Sequence, residues 1–294
     1  MNSFEANMIG LYAEEGQAWL NQLPQIRQKL STLWYLHSLK PHPHRSYHDI
    51  LMGFQKNTPI VVKIGFDREA LKREILALQV FQGHGVIPLL DHNLEWGALL
   101  LERVSPGQTL HTFFPGDEAK TLAIATSVIQ KLHQAPLPSS GFPTLADWLT
   151  DLDQGWNIPD LFLNKARHLK NQLLKTSSNP VLLHGDLHHD NILSHGTEWL
   201  AIDPKGVVGE AAYEVGAFIR NPIAALIDNS NTLSLIQTRT EWFAQSLGFD
   251  LERLHAWNFV QAVLAGVWAL QDHLDPKPYL HLIEIFDDLS RNFL

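Results

Sequence analysis

Residues 184–191 read His184-Gly185-Asp186-Leu187-His188-His189-Asp190-Asn191, and a β-like run from Trp199 to Ile202 then leads to a further carboxylate, Asp203. Phosphoryl transfer asks little covalent chemistry of a protein. It needs one carboxylate to orient an attacking hydroxyl, and hard oxygen donors that hold Mg²⁺ against the phosphates. Asp186 suits the first role, as catalytic base. Asn191, five positions on, and Asp203 suit the second, because Mg²⁺ prefers oxygen ligands.

This spacing is the layout of a kinase catalytic loop and metal-binding turn, and a matching signal lies upstream. Lys63 falls in the apolar, strand-like run Ile60-Val61-Val62-Lys63-Ile64, and Glu74 falls in the helical pattern that follows. In a kinase a strand lysine contacts the α/β-phosphates while a helix glutamate fixes it. Glu69 competes with Glu74, but Glu74 lies a full turn further along, beside the apolar stripe Ala70, Leu71, Ile75, Leu78 and Phe81. A lone lysine in an apolar strand more often snorkels to solvent. Its order before the downstream loop favours the functional reading.

Around these residues the chain divides. Trp19, Leu20, Leu23, Ile26, Leu30, Leu33 and Trp34 recur at three- and four-residue steps, which predicts an amphipathic helix over 12–39 with Pro24 as a break or second start. Lys40–His44 reads as a turn. Strands follow at Tyr47–Phe54 and Pro59–Ile64, a helix at Arg68–Phe81, and strands at Val86–Leu90 and Ala98–Leu101. After Ser105-Pro106-Gly107 helices dominate, over 117–134, 160–175, 233–247, 251–274 and 278–292. Short β-like stretches, Val181–His184 and Trp199–Ile202, flank the quoted segment. The expectation is an α+β, two-lobed, protein-kinase-like fold with a cleft between the lobes. Residues 1–104 form a small sheet-rich N-lobe for the nucleotide. Residues 105–294 form a larger helical C-lobe with the catalytic loop and acceptor site.

Composition narrows the class. The chain has 294 residues, 45% hydrophobic and 18% charged, with no cysteine, which excludes disulfides, thiolate metal sites and cysteine nucleophiles. No apolar run reaches membrane-spanning length, and MNSFEANMIG does not read as a signal peptide. A cytoplasmic protein is the simplest expectation. The formal net charge of −9 argues against nucleic acid and would welcome a cationic substrate, although acidity often serves solubility alone.

The segment Val181–Asn191 resembles the catalytic motif of the aminoglycoside phosphotransferase family. The run Trp199-Leu-Ala-Ile-Asp-Pro-Lys-Gly-Val-Val-Gly-Glu, continuing through Tyr213 to Pro222, is similar to the streptomycin 6-phosphotransferase and hydroxyurea phosphotransferase branch, as are Glu14–Pro24 and Ala98–Gly107. The resemblance implies ATP as donor, ADP as product, and a hydroxylated, aminoglycoside-like small molecule as acceptor. It also implies that Glu102 to Val104 is the hinge whose backbone reads adenine.

The sequence departs from the kinase pattern in three places. The region His42–Gly53 offers only Gly53 where a glycine-rich loop would cover the phosphates, leaving Arg45, Ser46 or nearby amides as substitutes. The turn Asp203-Pro204-Lys205-Gly206 is one residue longer than D-F-G. Glu214 arrives 11 positions after Asp203, too soon for an activation segment on which a protein substrate would dock, so a small acceptor is expected.

Other residues admit two readings. His184, His188 and His189 sit among Asp186 and Asp190 and invite a zinc site, but zinc uses fixed spacings and a closed ligand set. His184 and His188 are therefore assigned to orienting the loop by hydrogen bonds. Asp147, Asp151, Asp153 and Asp160 either line a pocket for a cationic antibiotic or cap helices. Asp287 and Asp288 read as a solvated face. Trp148, Trp156, Trp257 and Trp268 either stack on a sugar-like ring or fill the core. Glu210 and Glu214 reach the acceptor or position Lys205 or Arg220. A kinase for a different metabolite fits the same residues. A catalytically silent nucleotide-binding regulator fits less well, since every catalytic residue is present.

Overall fold

The computed structural model describes residues 3–43 and 45–291. His44, which closes the expected Lys40–His44 turn, and Asn292, at the end of the expected last helix, lie outside the described residues.

Helix α1 (Ser3–Leu33) is two helical segments meeting at Ala13, whose φ of 46° leaves helical space; Pro24 sits within the second. The fold-back is tight. A Cβ on Gly16 would lie 2.3 Å from the Met8 carbonyl oxygen. The helix was expected to run to residue 39. Instead Tyr35 takes a left-handed φ of 53°, and Leu36–Pro41 becomes strand β1, with a bulge between His37 and Lys40. A bulged strand this short shows no period of two in the sequence.

Strands β2 (Asp49–Gln55) and β3 (Thr58–Ile64) follow, then helix α2 (Arg68–Val80), whose first turn is capped by the Asp67 side chain accepting from Ala70 N–H. With β4 (Leu89–Asn93) and β5 (Ala98–Glu102) they complete an antiparallel sheet in the order β1-β2-β3-β5-β4. Alternation along β3 and β5 positions the site. Ile60, Val62, Ile64, Ala98 and Leu100 turn toward α1 and share a core with Trp19, Leu23, Ile26 and Leu30. Val61, Leu99 and Leu101 turn to the opposite face, where Leu71, Ile75 and Leu78 of α2 pack. Lys63, register partner of Leu99, belongs to that second face.

The expected strand at Val86–Leu90 starts late because its first residues bond elsewhere. Ala201 N–H donates to Gly85 O (2.7 Å) and Ile87 N–H to Ala201 O (3.0 Å), tying the two halves of the chain together. The chain leaves the large sheet at Glu102. Beyond it, β6 (Pro106–Thr109) pairs with β8 (Ile192–His195), β8 with β9 (Glu198–Ala201), and β7 (Pro180–Leu183) with β10 (Val207–Glu210). Strands β6, β8 and β10 were not expected; each has four residues, too few to show alternation.

The rest is helical: α3 (Glu118–Leu132), α4 (Leu145–Trp148), α5 (Asp160–Lys175), α6 (Val215–Ile219), α7 (Ile223–Ile227), α8 (Thr232–Leu247), α9 (Leu251–Gln271) and α10 (Lys277–Arg291). Helix α9 is buried almost all round and forms the centre of this half. Asp287 corrects its expectation. It is only 3% exposed on α10 and pairs with Lys165 of α5 at 2.9 Å, whereas Asp288 is exposed. Among the described residues no helix is long and apolar enough to cross a membrane.

Candidate active site

Lys63 is 2% exposed, and its ammonium lies between two carboxylates. Nζ is 2.9 and 2.8 Å from the Glu74 carboxylate oxygens and 3.1 Å from Asp203 Oδ1. Burial alone would push the lysine pKa down, but Asp203 and Glu74 outweigh it and hold the ammonium above its ordinary value. The two acids share that ammonium unequally. Burial raises Glu74, and the negative charge of Asp203 adds to the effect. Burial opposes ionisation of Asp203 too, yet Lys63, with Lys205 and His48 behind it, holds that carboxyl well below the usual range. Glu69, the rival to Glu74, is exposed in the first turn of α2.

The segment 184–191 is fixed by main-chain amides that the sequence does not advertise. Glu214, fully buried, accepts from His184 N–H (2.7 Å) and Gly185 N–H (3.1 Å), with His133 Nε2 at 3.5 Å. The buried His184 ring bridges the loop and the segment that leads to Asp203: Nε2 lies 2.8 Å from Ile202 O, and Nδ1 accepts from Asp186 N–H at 3.3 Å. Those contacts set the tautomer, with the proton on Nε2. Burial pushes the His184 imidazole down and keeps it neutral. Asn191 Nδ2 donates to Asp186 O (2.8 Å), which turns its amide nitrogen inward and frees Oδ1. His188 Nδ1 accepts from Asp190 N–H (3.3 Å), so His188 also orients the loop. His189 is buried and stacked on Phe218, with ring centroids 4.0 Å apart.

Asp186 opens onto a cavity of about 350 Å³. Trp148, Trp268, His48, Lys205 and Arg220 line it, together with Arg73 and the Lys63-paired Glu74. Lys205 Nζ is 4.0 Å from Asp186 Oδ2. The wall therefore carries three basic side chains, Arg73, Lys205 and Arg220, beside the carboxylates of Asp186 and Glu74. Trp148 and Trp268 meet edge to face at 5.8 Å, whereas Trp257 is fully buried and Trp156 packs on the core with its Nε1 given to Asp151 O. His48 carried no sequence signal. It lies against Gly65, and burial, reinforced by Lys63, pushes its imidazole down to about 3.

Several expected residues have other partners. Glu210 pairs with Arg253, and Glu214 accepts from the loop amides, so both carboxylates are engaged away from the cavity that Asp186 lines. Arg45 is bound to Asp49 (2.7 Å) beside Arg27, and the Ser46 main-chain carbonyl accepts from Asn7. Asp147 forms a capping box with Thr144, Asp151 accepts from Trp268 Nε1 (3.0 Å), Asp153 pairs with Lys170, and Asp160 lies in the first turn of α5. Glu102 and Val104 lie where the chain leaves β5. Glu102 N–H donates to Pro88 O (3.0 Å), Arg103 N–H donates to Pro59 O (3.2 Å), and the Val104 N–H has no protein partner among the described residues.

The architecture is that of the protein-kinase-like small-molecule phosphotransferases. It matches a thermostable mutant of aminoglycoside phosphotransferase APH(4)-Ia, in ternary complex with ADP and hygromycin B, with a TM-score of 0.69 at 14% identity, covering 90% of this chain and 97% of that one. It matches choline kinase LicA from Streptococcus pneumoniae with a TM-score of 0.67 at 13% identity, covering 91% and 99%. In sequence, the chain is 26% identical over 286 residues to a streptomycin 6-kinase of Streptomyces glaucescens, covering 92% of each. The profile of the aminoglycoside/hydroxyurea antibiotic resistance kinase family matches residues 41–273, and the chain belongs to that family.

Proposed function

We propose that this protein is an ATP-dependent kinase that moves the γ-phosphate onto a hydroxyl of an aminoglycoside-like small molecule. The observation that carries the reading is the meeting of Lys63 with Glu74 (2.8 Å) and Asp203 (3.1 Å) beside a cavity that Asp186 lines. Residues 1–104 act as the nucleotide lobe and 105–294 as the acceptor lobe, in the cytoplasm where ATP is available. Glu102 and Val104 read adenine through their main chain, for which the unpartnered Val104 N–H is suited.

Lys63 binds and neutralises the donor phosphates while Glu74 holds its ammonium in place. Asn191 Oδ1 and the Asp203 carboxylate are hard oxygen donors of the kind Mg²⁺ takes, and Asp203 stays ionised. Bound there, the ion would screen the negative charge of the phosphates. Asp186 orients the acceptor hydroxyl and takes its proton as the acceptor oxygen bonds to the γ-phosphorus. The bond from that phosphorus to the β–γ bridging oxygen breaks, and ADP leaves. Most of the acceleration then comes from positioning and electrostatics. Trp148 and Trp268 offer ring faces and edges to the acceptor, whose positive groups lie away from Arg220 and Lys205.

The test is ATP consumption with a panel of hydroxylated antibiotics, streptomycin first, using wild type and Asp186→Ala. Turnover with one panel member that the variant lacks supports the reading. Wild type that turns over none of them contradicts the choice of acceptor.

A further inference from the structure

Arg220 is a buried arginine with no carboxylate within ion-pair distance among the described residues, and Asp186 is the carboxylate whose charge acts on it. It follows α6, is 7% exposed, and among the described residues its side chain makes one hydrogen bond, from Nη1 to Gln261 Oε1 at 3.0 Å. The other deeply buried arginine, Arg239, forms a two-pronged pair with Glu118. Buried charges are normally paired, because an uncompensated one weakens the fold.

Arg220 is nevertheless held in place from several sides. Gln261 is anchored by donating Nε2 to Tyr213 O at 2.7 Å. It crosses α6 at Gly216, where an added Cβ would lie 2.3 Å from Nε2. Arg239 Nη1 donates to the carbonyls of Ile219 (3.1 Å) and Asn221 (2.6 Å), on either side of Arg220. The guanidinium so fixed lines the same cavity as Asp186 and Lys205. A rigidly mounted cation with no ion-pair partner at contact distance, beside Asp186 and Lys205, has the chemistry to receive an oxyanion.

We propose that Arg220, with Lys205 beside it, is a catalytic residue that grips the phosphoryl group in flight between donor and acceptor. This rests on the kinase reading above. When the bond to ADP breaks and the bond to the acceptor oxygen forms, with the proton passing to Asp186, the three non-bridging oxygens stay on phosphorus. They are the group that a planar guanidinium fork matches, and a loose transition state spreads its charge over them. An anionic group on the acceptor is the other source of the same chemistry, and the experiment separates the two.

Calorimetry of Mg·ADP binding, with and without aluminium fluoride as a mimic of the transferring phosphoryl, needs no acceptor. In wild type, fluoride tightens ADP binding at least about tenfold, as transition-state mimics do. Arg220→Gln abolishes the tightening while the Mg·ATP Kd changes less than about threefold, and Arg220→Lys retains part of it. The melting temperature of Arg220→Gln stays within a few degrees of wild type, because the carboxylate that acts on Arg220, Asp186, is beyond ion-pair distance and a third exposed; a purely structural arginine would give a lower one. Tightening that survives in Arg220→Gln, or is absent from a wild type that binds Mg·ATP, overturns the proposal. So does a several-degree loss of melting temperature, or an Arg220→Gln enzyme that keeps kcat and raises only the acceptor KM, which would assign the guanidinium to the acceptor. Wild type that fails to bind Mg·ATP at all sinks the donor reading, and this inference with it.

Discussion

Lys63 on β3 and Asp203 after β9 meet at 3.1 Å, so a single ammonium joins the large sheet to the largely helical half of the chain. The same ammonium is held by Glu74 of α2 at 2.8 Å. Period-two alternation puts Lys63 on the face opposite Ile60, Val62 and Ile64, and helical spacing puts Glu74 beside Ile75 and Leu78 over that face. A one-residue slip of β3 would send the lysine toward α1 instead.

Removing that ammonium leaves Glu74 buried and unpaired. Lys63→Met should cost about 3–5 kcal/mol of stability, the range for breaking a buried pair from one side. Asp203 is a third exposed and contributes less, since water can take over its solvation. The double variant Lys63→Met/Glu74→Met should recover most of the loss. Urea unfolding of the two single variants and the double measures the coupling, and strictly additive losses would contradict it.

Glu214 gives the clearest pH signature. Burial opposes its ionisation, but the hydrogen bond and charge of His133, with the hydrogen bond from the His184 main-chain N–H, hold its carboxyl below the ordinary glutamate value. A carboxylate lowered in the folded state contributes stability that is complete above its unfolded value, about 4.3, and is lost as pH falls through the lower folded value. Glu214→Gln should therefore lose about 1–3 kcal/mol at neutral pH and show a flatter melting temperature between about pH 5 and pH 2. Wild-type and variant curves that stay parallel into acid would count against this role.

Gly216 is needed because Gln261 passes across it. Gly216→Ala should cost about 1–3 kcal/mol by overpacking and lower kcat by displacing the amide that holds Arg220. Adding Gln261→Ala should restore melting temperature but not kcat. A double variant as unstable as Gly216→Ala alone would point to a different cause.

How much of this was legible in the sequence varies with the kind of interaction. Lys63, Glu74, Asp186, Asn191 and Asp203 could be read because each is a side chain whose chemistry and order carry the signal. Glu214 could be placed near the site but not understood, because its partners are the main-chain amides of His184 and Gly185, which no sequence spells out. Arg220 could be read only as a residue that Glu210 or Glu214 positions, and only the fold shows that neither pairs with it and that it lines the cavity with Asp186. Strand β1 was absorbed into the preceding helix because Leu36 to Leu39 continues the apolar steps of α1, and the left-handed turn at Tyr35 leaves no mark in composition. Asp287 was misassigned because its partner, Lys165, lies on a helix remote in sequence.

The central claim is that Asp186 directs a hydroxyl at a phosphate held by Lys63 and by the Mg²⁺ that Asn191 and Asp203 would bind. Transfer of label from [γ-³²P]ATP to streptomycin, followed in wild type and Asp186→Asn, tests it most directly. The expected result is labelled acceptor with wild type, and a rate at least about a thousandfold lower with the variant while its Mg·ATP Kd stays within about threefold. Asp186→Asn transferring label at a near wild-type rate would contradict it.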